Sequence, residues 1–380
     1  MEYWSGGIMA GQKTERILTG LLLLASLLFH GGLHAAQPPA NWKADWDATQ
    51  RAAEKEAKLV IYGPPGSDQQ KLYTEIFHQA FPKIRVNYTP GRISEIISRI
   101  MAEQRAGMRQ ADLVLGGTDI LLGTLKDKNL LQPIRPALVL PEVVDHNAWF
   151  KGKLWFADSE DKFVAMWRAV PYTAACINTN LVKPGELKSY WDLLQPKWKG
   201  KIVSQDLRIG SARNQMYTVY FRKDLGPEYL KRLYGEMDVT LSRNLPQIAD
   251  WLAGGKYAIA IGGVDCDDLA AKGLPVLPIH FEGIAAVGAG TDPASWLASS
   301  PNVNTAKVFL NWILSRDGQS QFQKLTRENS LRTDIGKDGI PPYYVLDPKK
   351  EYLFTGLEEH KDKINEFRPW LETLVGKKSP

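Results

Sequence analysis

Three short stretches of this sequence carry residue types that bind anions, and each follows a predicted strand. Ser67 and Asp68 lie in LVIYGPPGSDQQKL, behind a Gly/Pro break. Arg92 follows a Pro-Gly pair, and Gly117 and Thr118 follow ADLVLGG. Backbone amides at a helix start, a hydroxyl and a guanidinium are the donors that hold a phosphate or a carboxylate. These five residues are therefore predicted to line an anion site.

The same residues also have purely structural interpretations. Ser67, Asp68 or Thr118 can cap a helix, and Arg92 can be an ordinary surface charge. A nucleotide-binding P-loop is excluded for GPPGSDQQKL, because no Gly-Lys-Ser/Thr step follows its glycines.

Alternating strands and helices must position these loops. LVIY, IRVNYTP and ADLVLGG read as strands, and between them lie helical patterns such as ISEIISRIMAEQRAG. This alternation predicts a parallel sheet, whose strands bind ligands beyond their carboxyl ends. After a proline-rich stretch, a second α/β pattern follows, and the chain then returns to helix over residues 304–325. We predict a first lobe at 37–164, a second at 165–280, and a return to the first lobe with a C-terminal helical segment at 281–380.

The N-terminus has the pattern of a secretory signal peptide. Lys13 and Arg16 precede an apolar run from Ile17 to Phe29, and small residues follow at Ala35 and Ala36. The run is shorter than the roughly 20 residues that a membrane-spanning helix needs. We therefore expect residues 1–36 to be removed near Ala35/Ala36 and the protein to be soluble and exported to the periplasm. The alternative is a buried N-terminal helix.

Composition excludes one class of partner and leaves a question about the cysteines. The net charge of +5 over 380 residues is mild, and no basic block suggests nucleic-acid binding. Cys176 and Cys266 could pair in an oxidising compartment or could both be buried apolar residues. Because a chain of this length needs no disulfide to stabilise its core, we expect them to be unpaired.

Several phrases of the sequence, taken in order, resemble one known family. EKEAKLVIYG, DLVLGGTDILLGTLKDKNLLQPI, INTNLVKPGELKSYWDLLQPKWKGKIVSQD and FLNWILSRDGQSQF resemble the ABC-transporter solute-binding proteins of the ferric-iron-binding type. The resemblance implies an α/β, two-lobed type II periplasmic-binding-protein fold with the ligand in the cleft between the lobes. It also implies a monomer that delivers a small ligand to a membrane permease with a cytoplasmic ATPase.

The resemblance also implies further site residues. RIGSARNQ resembles the family loop that meets an anion at a helix N-terminus, so Arg208, Ser211, Ala212 and Arg213 are expected to contribute guanidinium, hydroxyl and amide donors. Tyr172 lies where some members place a cleft tyrosine. The structural alternatives are a salt bridge for Arg208 and hinge packing for Tyr172.

Ferric iron is the alternative ligand within this family. Family members hold iron with an adjacent tyrosine pair, but this chain has Val264 and Asp265 at that place. The His or Tyr that ferric-binding members tend to have in the turn after the first strand is missing as well. Tyr172 and Asp265 together could form at most a divalent-cation site, so we expect no metal and no cofactor, with Asp265 as a ligand-binding residue. The small ligand is then expected to be an anion.

An exported hydrolase is the alternative outside the family. The acidic clusters DSEDK and DCDD could supply paired carboxylates for glycoside chemistry, but acids at a loop or helix start are a commoner explanation. Neither HExxH nor GxSxG occurs. The sequence therefore predicts a binding protein and not an enzyme.

Overall fold

The computed structural model describes residues 40–281, 285–288 and 292–376. The predicted signal peptide lies outside these residues. The described strands are β1 (Lys58–Gly63), β2 (Arg85–Pro90), β3 (Leu113–Leu115), β4 (Leu131–Gln132), β5 (Val164–Ala165), β6 (Val170–Pro171), β7 (Ala175–Asn178), β8 (Ile202–Gln205), β9 (Thr240–Ser242), β10 (Ile259–Ile261), β11 (Val276–Ile279), β12 (Ala285–Gly288), β13 (Ala294–Leu297) and β14 (Tyr352–Phe354).

The described α-helices include several single turns. They are α1 (Trp42–Glu56), α2 (Ser67–Lys71), α3 (Phe77–Ala80), α4 (Ile93–Arg105), α5 (Thr118–Ile120), α6 (Pro141–Val144), α7 (Gly210–Phe221), α8 (Gly226–Glu236), α9 (Leu245–Ala253), α10 (Cys266–Ala271), α11 (Val303–Leu314), α12 (Arg316–Thr326) and α13 (Lys361–Val375). π-Helical turns continue α2 into α3 over Leu72–Ile76 and extend α5 over Leu121–Lys126. No described helix is both long enough and apolar enough to span a bilayer.

The first sheet brings three of the predicted loops to one edge. Its order is β2-β1-β3-β13-β4, with β5 paired to β13, and β1 runs parallel to both β2 and β3. Ile61 of β1 is opposite Tyr88 on one side and Leu113 on the other. Because the three strands are parallel and in register, the loops that carry Ser67, Arg92 and Thr118 follow the same edge. We call this sheet and its helices the first lobe.

The second sheet is built from a continuous part of the chain. Its order is β11-β7-β10-β8-β9, and β8 runs parallel to β9 and β10. The chain leaves β8 at Asp206 and β10 at Gly262, so these two positions share one edge of the sheet. We call this sheet and its helices the second lobe.

A narrow third sheet connects the two lobes. Its order is β14-β12-β6, with β6 antiparallel and β14 parallel to β12. β6 leads from the first lobe to β7, and β12 leads from β11 back to β13. The C-terminal helix α13 then packs against the second lobe, where Phe367, Leu371 and Val375 share a buried cluster with Tyr217 of α7 and Tyr229 of α8.

One expectation about local structure was confirmed in outline and one was wrong. Residues 304–325 are helical as predicted, but they form two helices, because Ser315 caps a new helix by accepting a hydrogen bond from the Gly318 N–H at 3.1 Å. Gly318 permits the turn, since a Cβ there would lie 2.0 Å from the carbonyl oxygen of Trp312. Cys176 and Cys266 form a disulfide, because β7 pairs with β10 and β11, the two strands that α10 connects.

Candidate functional site

The loop after β1 is hydrogen-bonded to a tyrosine of the neighbouring strand β2. The Tyr88 hydroxyl donates to the Pro64 carbonyl oxygen at 2.6 Å, and a Cβ on Gly63 would lie 2.3 Å from that hydroxyl. Ser67 and Asp68 are exposed in the first turn of α2, with the Ser67 hydroxyl 3.5 Å from the Asp68 carboxylate. Neither caps the helix, because Gly66 occupies the N-cap position.

The loops after β2 and β3 differ in the solvent exposure of their predicted site residues. Arg92 is exposed at the N-cap of α4, where its backbone N–H lies 3.4 Å from a Glu95 carboxylate oxygen. Thr118 is buried and is the first residue of α5, so the N-cap that the sequence assigned to Thr118 belongs instead to Gly117. A Cβ on Gly356, which precedes α13, would lie 2.4 Å from the Thr118 hydroxyl.

Arg208 of the second lobe is fully engaged by a buried carboxylate. Its Nε and one terminal nitrogen each donate to Asp206 at 2.7 Å, and Arg243 Nε donates to the same carboxylate at 2.9 Å. Burial alone would raise the pKa of Asp206, but the two arginines outweigh it and lower the pKa to about 2. We call these residues the Asp206 cluster.

The start of α7 lies close to the end of β10. Ile209 occupies the N-cap position, and its apolar side chain cannot accept a hydrogen bond from the helix N–H groups. Ser211 and Ala212 lie in the first turn. The Ala212 N–H donates to Gln205 Oε1 at 3.3 Å. Gly262 has a φ of +73°, and a Cβ there would lie 2.7 Å from the Cβ of Ala212, so only glycine allows this approach. The positive end of the α7 dipole therefore lies at the ligand-binding edge of the second sheet.

Arg213 connects the two lobes. One terminal nitrogen of its guanidinium donates to Asp119 of α5 at 2.7 Å. Its Nε is buried and has no hydrogen-bond partner among the described residues. Because Asp119 follows Gly117 and Thr118 directly, this ion pair brings two separately predicted loops, one from each lobe, to the same place.

Tyr172 lies next to this ion pair, at the end of β6. Burial raises the pKa of its phenol, while hydrogen bonds from Asn214 and Thr355 lower it and the charge of Asp119 raises it. A Cβ on Gly288 would lie 2.6 Å from the phenol oxygen. The hydroxyl is therefore neutral at physiological pH and is confined between the connecting sheet and α7.

Asp265 lies at the N-cap of α10 and is exposed. Its carboxylate accepts a hydrogen bond from the Asp268 N–H at 3.1 Å. Asp265 therefore caps the helix, as the alternative explanation of the DCDD cluster, an acid at a helix start, predicted. The next carboxylate, Asp267, accepts from the Tyr344 hydroxyl at 3.0 Å. Burial, together with the charge of Asp267, raises the pKa of Tyr344.

The structure contains a second cluster of charged side chains, which the sequence analysis did not predict. Arg168 donates to Asp292 at 2.6 Å and forms an ion pair with Glu328, and the Tyr73 hydroxyl donates to the other oxygen of Asp292 at 2.7 Å. Burial raises the pKa of Glu328, Arg168 lowers it, and Asp292 and Asp265 raise it, so that the pKa in the folded protein is about 7. We call Arg168, Asp292 and Glu328 the Arg168 cluster. Arg168 lies more than a hundred residues before both Asp292 and Glu328 in sequence, and no motif connects the three.

A cavity of about 510 Å³ adjoins the Arg213–Asp119 pair. It lies between α5 with its π-helical extension, α7 and α13. A ligand pocket commonly occupies 300 to 1,000 Å³, so the volume suits a small organic solute. The lining residues are Asp119, Ile120, Leu122, Gly123, Thr124, Arg213, Thr355, Gly356, Leu357, Glu358, Lys361, Ile364, Asn365 and Arg368.

The described residues contain no group of three His, Cys, Asp or Glu side chains arranged to hold a metal ion. Burial raises the pKa of the Tyr88 and Tyr344 phenols, and the charges of Asp292 and Asp267, respectively, raise it further.

Comparison with known proteins identifies the class. Residues 63–320 match the profile of the bacterial extracellular solute-binding protein family. A curated relative, the probable ABC transporter periplasmic-binding protein y4fP of Sinorhizobium fredii, is 26% identical over 283 residues, which is 70% of this chain and 71% of that protein.

Two solved structures share the fold. Iron-bound HitA from Pseudomonas aeruginosa has a TM-score of 0.62 at 19% identity, covering 84% of this chain and 99% of that one. The periplasmic binding protein AfuA from Actinobacillus pleuropneumoniae, with exogenous fructose-6-phosphate bound, has a TM-score of 0.57 at 19% identity over the same shares.

The chain belongs to the bacterial extracellular solute-binding protein family. This confirms the predicted α/β, two-lobed periplasmic-binding-protein fold and the predicted function as the solute-binding component of an ABC transporter.

Proposed function

We propose that this protein captures a small anionic solute between its two lobes in the periplasm and delivers it to a membrane permease with a cytoplasmic ATPase. The observation that carries the proposal is the Arg213–Asp119 ion pair, which joins the lobes at 2.7 Å beside a cavity of about 510 Å³. AfuA, which shares the fold, was solved with fructose-6-phosphate, a solute that is itself an anion.

Arg213 is the residue best placed to hold the acid group. It is mostly buried, with 17% of its side chain exposed, and its Nε has no partner among the described residues. The N-terminus of α7, one turn away, adds the positive end of a helix dipole. A carboxylate or phosphate at this point would accept charge-assisted hydrogen bonds, which are about twice as strong as neutral ones.

Asp119 gives ligand binding a direct link to lobe closure. Its carboxylate accepts a hydrogen bond from one terminal nitrogen of the Arg213 guanidinium. An incoming anion can bind the Nε side or take the place of Asp119, and in either case it contacts both lobes through Arg213 and the Gly117–Thr118 loop. The ligand then favours the closed arrangement by its higher affinity for it, and the permease recognises that arrangement.

The remaining assignments belong to the same proposal. The protein acts as a monomer without catalytic activity, its signal peptide is removed near Ala35/Ala36, and its lobes divide at 37–164, 165–280 and 281–380. Tyr172, Ser211 and Ala212 line the anion site together with Arg213. Ser67, Asp68, Arg92 and Asp265 contribute from the rim, whereas Arg208 acts by orienting the loop through Asp206.

A thermal-unfolding series tests the proposal. Inorganic phosphate, phosphonates, dicarboxylates, fructose-6-phosphate and Fe(III)-citrate would each be added to the exported protein. A ligand at a hundred times its Kd adds about 2.7 kcal/mol of stability. We expect at least one anion to raise Tm, and Arg213→Ala to abolish that shift.

The matched control is Arg232→Ala, because Arg232 forms an exposed ion pair with Glu236 on α8, away from the cavity. This variant should keep the full shift. A shift with ferric iron alone that survives Arg213→Ala would contradict the proposal and would favour an iron carrier.

A further inference from the structure

Besides Arg213, the cavity is lined by a second arginine, Arg368, which has no ion-pair partner among the described residues. Lys361 donates to Asp127 at 2.7 Å, and Glu358 accepts from Lys126 at 2.9 Å, so these two lining charges are paired. Arg368 of α13 is exposed toward the cavity opening and forms no hydrogen bond or ion pair with the described residues. Arg213 and Arg368 therefore line one cavity, the first with a buried Nε that has no hydrogen-bond partner among the described residues and the second with an exposed guanidinium.

Part of the cavity lining is apolar. Ile120 and Leu122 from the first lobe and Leu357 and Ile364 from the C-terminal segment form this part. Gly123 adds space, since a Cβ there would meet no heavy atom within 4 Å. The cavity thus offers two arginines together with an apolar surface.

We propose that the ligand site extends from Arg213 to the C-terminal helix and selects solutes that carry two acidic groups on a short carbon skeleton. One acid group binds Arg213 at the lobe boundary, the other binds Arg368, and the skeleton lies against the apolar wall. Dicarboxylates and phosphorylated carboxylic acids have this chemistry. The proposal rests on the anion-binding function above and adds α13, which no sequence motif indicated, to the site.

Two variants test the extension by isothermal titration calorimetry. Glutarate and 3-phosphoglycerate serve as two-acid probes, and inorganic phosphate serves as the small probe. Gly123→Leu adds a side chain whose Cβ meets no heavy atom within 4 Å and is expected to weaken the two-acid probes about tenfold, while phosphate binding changes less than about twofold. Arg368→Gln is expected to show the same selectivity and to weaken the two-acid probes about tenfold, because it removes one charge-assisted contact.

The matched control is Gly235→Leu. Gly235 is also an exposed helical glycine with no heavy atom within 4 Å of an added Cβ, but it lies on α8, away from the cavity. This variant should bind every probe like the parent protein. A thermal melt of each variant establishes that it is folded before titration.

The outcomes separate the two proposals. If Arg213→Ala abolishes binding of an anion while Gly123→Leu and Arg368→Gln leave the affinities for both two-acid probes unchanged, the extension is wrong and the anion site stands. If Arg368→Gln weakens phosphate and the two-acid probes equally, Arg368 acts only through its overall charge and the extension is also wrong. If the parent protein binds no anion, both proposals fall.

Discussion

The Asp206 cluster and the Arg168 cluster contain the same two kinds of side chain in opposite proportions. In the first, one carboxylate faces two arginines, and the pKa of Asp206 falls to about 2. In the second, one arginine faces two carboxylates, and the pKa of Glu328 rises to about 7. Both carboxylates are desolvated, so burial alone does not determine the direction of the shift. The number of opposite charges within reach determines it.

The largest effect should come from removing an arginine that compensates a buried carboxylate. Arg208→Ala leaves the fully buried Asp206 with only Arg243, and the free energy of unfolding should fall by about 3 kcal/mol. The depressed pKa stabilises the fold above pH 3.8, and that contribution is lost as the pH falls toward 2, so the difference should shrink in acid. Urea unfolding at pH 7 and at pH 3 measures both.

Arg232→Ala is the control, because this exposed pair should contribute at most about 0.5 kcal/mol. Equal losses in the two variants would mean that burial of the partner carboxylate does not matter.

A smaller effect of opposite sign, an increase in the free energy of unfolding, is expected when Glu328 of the Arg168 cluster is replaced by a neutral residue. The pKa of Glu328 in the folded protein, about 7, lies above its ordinary value of 4.5, so the folded state binds the proton more tightly. This stabilisation is complete below pH 4.5 and is lost as the pH rises through 7. Glu328→Gln cannot lose a proton, so it should exceed the parent protein in stability at pH 8 by about 2 kcal/mol.

Urea unfolding between pH 4 and pH 8 gives the two curves. They should converge below pH 4.5, where the parent carboxyl is protonated in both states. Parallel curves over the whole range would show that Glu328 titrates normally in the folded protein.

The smallest effect concerns the pair that spans the lobes, where one arginine faces one carboxylate. Asp119→Asn removes the competing negative charge from Arg213 and should raise the affinity for inorganic phosphate by about threefold to tenfold. Stability should change little, because 47% of the Asp119 side chain is exposed. Calorimetric titration measures the affinity.

Asp127→Asn is the matched control, since Asp127 is similarly exposed and also forms an ion pair at this cavity, but with Lys361. An equal gain in the control would assign the effect to net charge and not to Arg213.

The sequence predicted the loops of the site better than it predicted how they meet. Parallel strands and the glycines after them predicted that Gly117 and Thr118 follow a strand end, because those features are local, whereas Arg213 was expected only from the family resemblance of its loop. The contact between the loops depends on Asp119, which has no distinguishing motif. Arg208 was expected in the site because of its loop, although Asp206, two residues earlier, already indicated its counter-ion.

Contacts between distant parts of the chain account for the other misses. Arg168 meets Asp292 across 124 residues, and Cys176 meets Cys266 across 90. Neither pair has a spacing that distinguishes it from chance. The α13 helix was predicted only as a helical segment, and its place beside the cavity follows from packing of Phe367 and Leu371 against the second lobe.

The position of β13 has a consequence for the order in which the chain can fold. This strand lies between β3 and β4 inside the first sheet, yet it comes after the whole second sheet in sequence. During synthesis from the N-terminus, the first sheet therefore has a gap until residues 294–297 emerge, whereas all five strands of the second sheet are available once residue 279 has appeared. The lobe that begins the chain is consequently the last to be completed, and its unpaired strand edges must be protected in the interval.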